Sequence, residues 1–135
     1  MGLKSVVYAK IADLRARLDD EEMYLGPPAS PLYIELLIGV ARRKLGAKLP
    51  PEYLSFLQDF DGLRACGVFI YSSRLLSKGG EEVIGHGFIW NNLFRRQLEG
   101  MEKFLVFGES DMDEYVLDLV RGKYQVRDRV AFDNV

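Results

Sequence analysis

The chain is poor in the residue types from which catalytic and metal sites are most often built. It has one histidine, His86, and one cysteine, Cys66, among 135 residues. A single cysteine excludes an internal disulfide framework, and a single histidine excludes a cluster of histidine ligands. Cys66 and His86 could form a nucleophile and its base, but a free cysteine beside an apolar segment is usually a small core residue. His86 stands between two glycines, as a solvated loop histidine does. The sequence therefore predicts no enzyme, no metal and no cofactor.

Neither a basic excess nor a long apolar run is present. Eighteen basic and twenty acidic side chains give a formal net charge of −2, which disfavours a nucleic-acid partner. The longest apolar stretch, residues 36–41, is far shorter than the roughly 20 residues that a membrane-spanning helix needs. The N-terminus leads into a charged amphipathic pattern rather than an apolar signal sequence. We therefore expect a cytoplasmic protein with no membrane partner.

The chain is rich in apolar and aromatic residues, enough for the core of one domain over residues 1–135. Its hydrophobic content is 48%, with eight phenylalanines and seven tyrosines. Apolar residues repeat at helical spacing over residues 3–18 and again over residues 31–45. Ser30 as N-cap and Pro31 in the first turn predict where the second of these helices begins.

A third helix is predicted over residues 51–60. Pro51 suits the first helical turn, and Gly62 suits a stop with a positive φ angle. One face of this helix should be buried, since four apolar residues recur at the spacing i, i+3, i+4, i+7. These residues are Tyr53, Phe56, Leu57 and Phe60.

The second half of the chain reads mainly as strands. Residues 68–71 and 104–107 are short apolar runs, and the second is typical of a central strand covered on both faces. Residues 115–120 and 123–127 flank Arg121-Gly122, which predicts a two-residue hairpin turn and a wet face carrying Lys123, Gln125 and Arg127. Asn91 or Asn92 could cap a helix that ends before Gly100. The fold class is therefore α+β, with N-terminal helices packed on one face of a mainly antiparallel sheet.

Two features could belong to a binding surface. The acidic run of residues 109–114 is either a solvated turn between two strands or a rim that meets a basic partner. Trp90, the sole tryptophan, is either an interface anchor or a core residue, with a modest tilt to the core. The candidate partner-binding residues are Asp59, Asp61, Trp90, Glu109, Asp111, Asp113 and Glu114.

The segment Leu49-Pro50-Pro51 to Asp61-Gly62 resembles the signature of the SUKH superfamily, which includes bacterial toxin-immunity proteins and a fungal cell-wall-assembly regulator. The upstream "Leu45-Gly46, two residues, Leu-Pro" spacing and the downstream run 104–109 resemble other parts of the family pattern. The resemblance covers residues 30–128. The residues of the family motif would define the helix predicted over residues 51–60 and pack it on the sheet. They are Leu49, Pro50, Tyr53, Phe56, Leu57 and Gly62.

The resemblance implies a non-catalytic protein-binding module. In this interpretation the chain is an immunity protein that neutralises a toxin, such as a nuclease or deaminase, by direct contact. The alternative is a regulatory or scaffold module of the same fold with a partner other than a toxin. The oligomeric state, the partner's identity and the role of residues 1–29 stay open at this point.

Overall fold

The structure is a computed structural model that describes residues 8–9, 11–13, 16, 23–65, 67–74 and 87–128. Within the predicted first helix, residues 8–9, 11–13 and 16 are helical, and the rest of that prediction lies outside the described residues. The described chain is α+β, as the sequence predicts, with six strands in one antiparallel sheet.

The helices are α1 (Pro31–Val40), continued by a π-helical turn (Ala41–Leu45), then α2 (Pro51–Asp59) and α3 (Phe88–Arg95). A 3-10 turn, Met101–Lys103, leads into the last three strands. The strands are β1 (Met23–Leu25), β2 (Leu63–Ala65), β3 (Val68–Ile70), β4 (Phe104–Glu109), β5 (Asp113–Asp118) and β6 (Lys123–Asp128). They lie in the sheet in the order of the sequence, and each pair of neighbours is antiparallel.

The predicted starts of α1 and α2 are confirmed. The Ser30 hydroxyl accepts a hydrogen bond from the backbone N–H of Tyr33, and Pro31 occupies the first turn of α1. Pro51 occupies the same place in α2, which ends at Asp59. Gly62 has φ +100°, so the exit from α2 uses a backbone conformation that glycine adopts most easily.

One hydrophobic core lies between the helices and the sheet. Leu37 of α1, Ala41 of the π-helical turn and Leu57 of α2 are fully buried. Leu105 and Val106 of β4 are buried as well. The rings of Tyr53, Phe88 and Phe107 lie within 5.5 Å of one another, centroid to centroid. The SUKH-like motif residues Leu49, Tyr53, Phe56 and Leu57 are all buried in this core.

Three sequence predictions about the second half are wrong. The turn between β5 and β6 has four residues, 119–122, since Asp118 and Lys123 are still paired across the hairpin. The Asp118 carboxylate accepts hydrogen bonds from two backbone N–H groups of this turn, which stabilises the longer loop. On β6, Lys123 is exposed as predicted, but Gln125 is half-buried and Arg127 is buried, while Val126 is exposed.

The third error concerns α3. This helix begins at Phe88, after Gly87, so Asn91 and Asn92 lie inside it rather than at its N-cap. Both amides are buried and donate to helix carbonyls, Asn91 to Gly87 and Asn92 to Phe88. The helix ends at Arg95, before Leu98 and Gly100. Strands β1 and β2, three residues each, were not predicted either.

Candidate functional site

Helix α3 has an apolar outward side, whereas its inward side is partly polar. Its outward side carries Trp90, Leu93 and Phe94, whose side chains are 42%, 41% and 55% exposed. Its inward side carries Asn91, Asn92 and Arg95, which are all less than 9% exposed, beside the buried Phe88 and Ile89. Exposed large apolar side chains and buried polar ones are the two arrangements that ordinary folding does not favour. We call Trp90, Leu93 and Phe94 the aromatic face of α3.

The aromatic face is organised by helical spacing. Trp90, Leu93 and Phe94 stand at i, i+3 and i+4, so they are neighbours on one side of the helix. The Trp90 and Phe94 rings are stacked, with centroids 5.2 Å apart and an angle of 6° between the planes. Two flat rings are thus presented together to the surroundings. Leu98, beyond the end of the helix, is also exposed.

The Asn92 side chain fixes α3 to β4 like an additional peptide group. Its amide oxygen accepts from the Val106 N–H at 2.8 Å, and its amide nitrogen donates to the Val106 carbonyl at 2.8 Å. Strand β3 pairs with β4 only at Glu109 and Gly108, so Asn92 satisfies backbone groups further along β4. A side chain that is 1% exposed and fully hydrogen-bonded sets both the position and the rotation of the helix.

Arg95 is the second anchor. Its guanidinium forms a buried ion pair with Glu114 of β5, a contact to Glu109 at 3.4 Å, and a hydrogen bond to the Asn91 side chain at 3.3 Å. Burial alone would lower the pKa of Arg95, but Tyr71, Glu114 and Glu109 raise the pKa above its usual value. The guanidinium is therefore charged in its buried position.

Two further residues complete this cluster. Arg127 lies 3.9 Å from Glu114 and stacks over the Phe104 ring at 4.3 Å. The Tyr71 hydroxyl donates a hydrogen bond to Glu109, and burial raises the pKa of Tyr71 well above its usual value. With two arginines against two glutamates, the cluster is balanced in charge. It acts as an internal support for α3, since Arg95 belongs to the helix and both glutamates belong to the sheet.

The predicted acidic residues fall into two groups. Asp61, Glu109 and Glu114 have internal partners: Asp61 is buried and accepts from the Ser73 N–H at 2.7 Å. Glu109 and Glu114 belong to the cluster beneath α3. A partner that docks on the folded surface would therefore not reach Asp61 or Glu114. The acidic surface proposed from the sequence therefore loses these two residues.

The other acidic residues lie at the surface. Asp59 is exposed at the end of α2 and accepts a hydrogen bond from the Tyr8 hydroxyl. Asp111 is exposed and Asp113 half-buried at the turn between β4 and β5. The partner-binding role of these three residues stays a prediction.

Trp90 lies on the surface, so the prediction that slightly favoured a core position for it is wrong. Sequence reasoning missed Leu93 and Phe94 as surface residues, although it placed both in a helix. Their spacing is the same whether the stripe faces the core or the solvent. The one available signal was the pair Asn91-Asn92. Asparagines lie on the core-facing side of a helix only when their amides are buried and hydrogen-bonded.

The possible Cys66–His86 pair falls outside the described residues, as both members do. In the described ranges, no group of three or more histidine, cysteine, aspartate or glutamate side chains could hold a metal ion. No helix of the described chain is long and apolar enough to cross a bilayer.

No protein-family model matches the chain, and no curated protein matches it at a significant level. The SUKH resemblance therefore stays a prediction.

Proposed function

We propose that the chain is a non-catalytic protein-binding module of the immunity type, which neutralises a toxin by direct contact through the aromatic face of α3. The observation that carries this proposal is the apolar outward side of α3, opposite an inward side that buries polar residues. Tryptophan, phenylalanine and leucine project outward while amides and an arginine are buried. Interface hot spots are enriched in tryptophan, and a contiguous exposed apolar patch commonly marks a protein-binding surface.

The internal construction of the site supports the same function. Binding surfaces gain affinity when they are rigid before the partner arrives, because less conformational entropy is lost on association. Asn92 and Arg95 hold α3 to β4 and β5 by buried hydrogen bonds and an ion pair. The aromatic face is thus preorganised. The toxin as partner is supported by the SUKH-like pattern of residues 30–128.

Co-expression with the product of the neighbouring gene tests the proposal. The wild-type chain should relieve growth arrest caused by that product and should co-purify with it. Trp90→Ser together with Phe94→Ser should abolish both effects. Tyr24→Ser, at an aromatic side chain of similar exposure on β1, is the matched control and should retain both.

Absence of both rescue and a complex with the wild-type chain would refute the immunity proposal. Co-purification of a housekeeping complex from cells that lack a toxin gene would favour the regulatory module instead. In either complex, binding that survives the double substitution would show that another surface is used.

A further inference from the structure

The π-helical turn that packs against α3 is basic, and we call it the basic turn. The π-helical turn contains Arg42, Arg43 and Lys44, all of which are exposed, and the exposed Lys48 follows shortly after. None of these four forms an ion pair with a residue that the structure describes. The turn also packs directly against α3.

Arg96 links the two elements. Directly after α3, its guanidinium donates to the Leu45 carbonyl, the last carbonyl of the π-helical turn, at 2.8 Å. The C-terminal end of α3 is therefore held against the C-terminal end of the basic turn. The carbonyls at that helix end attract cations, which accounts for part of the basic character but not for four basic side chains that have no ion pair with a described residue.

The charge balance at this place is positive. Glu99 and Glu102 are exposed acidic residues on the segment after α3, and Lys103 is an exposed basic one. Over residues 41–48 and 97–103, the exposed charged side chains therefore comprise five basic and two acidic ones, in a chain whose formal net charge is −2. The basic turn is thus a local departure from the charge of the whole molecule.

We infer that the segment bound by the aromatic face is acidic: an apolar partner segment flanked by aspartate or glutamate, whose carboxylates meet Arg42, Arg43 and Lys44. This inference rests on the proposed function and names the chemistry of the partner surface. Aromatic residues and arginine are the residue types enriched at protein interfaces, and opposite charges around an apolar centre fix the orientation of a partner. Acidic lipid headgroups would also be attracted, but α3 has only eight residues, a short surface for insertion into a bilayer.

A displayed library of random peptides of about 15 residues, the length at which a helix becomes marginally stable, tests the inference. Selection on the wild-type chain, with counter-selection on Trp90→Ser, isolates peptides that need the aromatic face. These peptides should be enriched in both apolar residues and aspartate or glutamate. The affinity of the best peptide is then measured by the fluorescence of Trp90, the only tryptophan in the chain.

Charge reversal provides the decisive comparison. Arg43→Glu with Lys44→Glu should weaken binding of the selected peptide by about tenfold and reduce its salt dependence. Arg121→Glu with Lys123→Glu, on the β5–β6 hairpin, is the matched control and should leave the affinity within about twofold. Circular dichroism checks that both double variants are folded.

The other outcomes separate the two proposals. Peptides that need Trp90 but carry no acidic excess, or that tolerate the reversal at Arg43 and Lys44, would overturn the acidic-partner inference and leave the binding function standing. If no peptide depends on Trp90, both are overturned. A blue shift of Trp90 emission with phosphatidylserine vesicles, and not with any peptide, would show a membrane surface and would likewise overturn the inference.

Discussion

At the scale of the residue, buried polar side chains determine where α3 lies. Asn92 takes the place of a β3 partner for Val106, and Arg95 forms the ion pair with Glu114. These roles could not be predicted from the sequence, because asparagine before a helical pattern is also the usual N-cap signal. Which partner an asparagine finds is decided by the fold and not by its neighbours in the chain.

Replacement of Asn92 by leucine should cost about 2–4 kcal/mol of unfolding free energy. Leucine has a similar volume but leaves the N–H and carbonyl of Val106 without a partner in the core. Urea unfolding measures the loss. Leu93→Ala, at the adjacent but exposed position, should change the unfolding free energy by about 0.5 kcal/mol or less. Equal losses in the two variants would contradict the role given to Asn92.

Arg95→Met should cost about 3–5 kcal/mol, because Glu114 and Glu109 are then left with less compensation for their buried charge. Arg121→Met is the comparison, since the Arg121–Asp118 pair is 3.9 Å apart with Arg121 largely exposed. Loss of that pair should cost less than about 1 kcal/mol. A similar cost at both sites would mean that the cluster under α3 does not support the helix.

At the scale of the element, helices with local start signals were predictable, whereas two of the three short strands were not. The first turns of α1 and α2 follow from Ser30-Pro31 and Pro51, which act within a few residues. Strands β1 and β2 have three residues each, too few to show an alternating pattern, and they form only because the chain brings them together. The aromatic face escaped prediction for a related reason: a periodic stripe shows that a helix has two sides but not which side is inward.

The glycines before and within α1 should respond oppositely to substitution. A Cβ at Gly26 would overlap the backbone carbonyl of Asp61, so Gly26→Ala should destabilise the fold by about 1–3 kcal/mol. At Gly39 the nearest atom to a new Cβ is Nη1 of the flexible Arg43 side chain, at 3.3 Å. Gly39→Ala should therefore stabilise α1, by about 0.5–1 kcal/mol. Thermal unfolding of the two variants tests the pair, and a common sign of the effect would contradict it.

At the scale of the whole molecule, the six-stranded sheet extends in chain order from β1 to β6, and two tyrosine hydroxyls are buried against it. Tyr53 donates to the Tyr71 carbonyl at 2.6 Å, and Tyr71 in turn donates to Glu109. Burial raises the pKa of both tyrosines well above the usual value. Composition and periodicity predicted a single α+β unit with such a core, whereas the pairing of these hydroxyls depends on the completed sheet.

Stability should consequently fall at alkaline pH. The folded state keeps the Tyr53 and Tyr71 protons that the unfolded chain loses near about pH 10. Their contribution is complete below that pH and decreases as the pH rises towards the folded-state pKa values, by about 1.4 kcal/mol per pH unit for each tyrosine. Urea unfolding at several pH values measures the slope.

Tyr53→Phe should make this alkaline slope shallower, because one of the two buried hydroxyls is gone. Tyr24→Phe, which removes a half-exposed tyrosine hydroxyl on β1, is the comparison variant. The unfolding free energy of the wild-type chain is compared below and above the pH at which tyrosine ionises. If it is the same at both, the buried positions of these hydroxyls are contradicted.

The claim that the aromatic face of α3 is the binding surface can be tested directly through Trp90. Biosynthetic incorporation of fluorotryptophan places one fluorine probe in the chain, at the centre of the proposed interface. We predict that the fluorine resonance shifts when the unlabelled partner from the co-expression experiment is added, and that a soluble paramagnetic agent then broadens it less. A stable complex in which the resonance and its broadening are both unchanged would contradict the account.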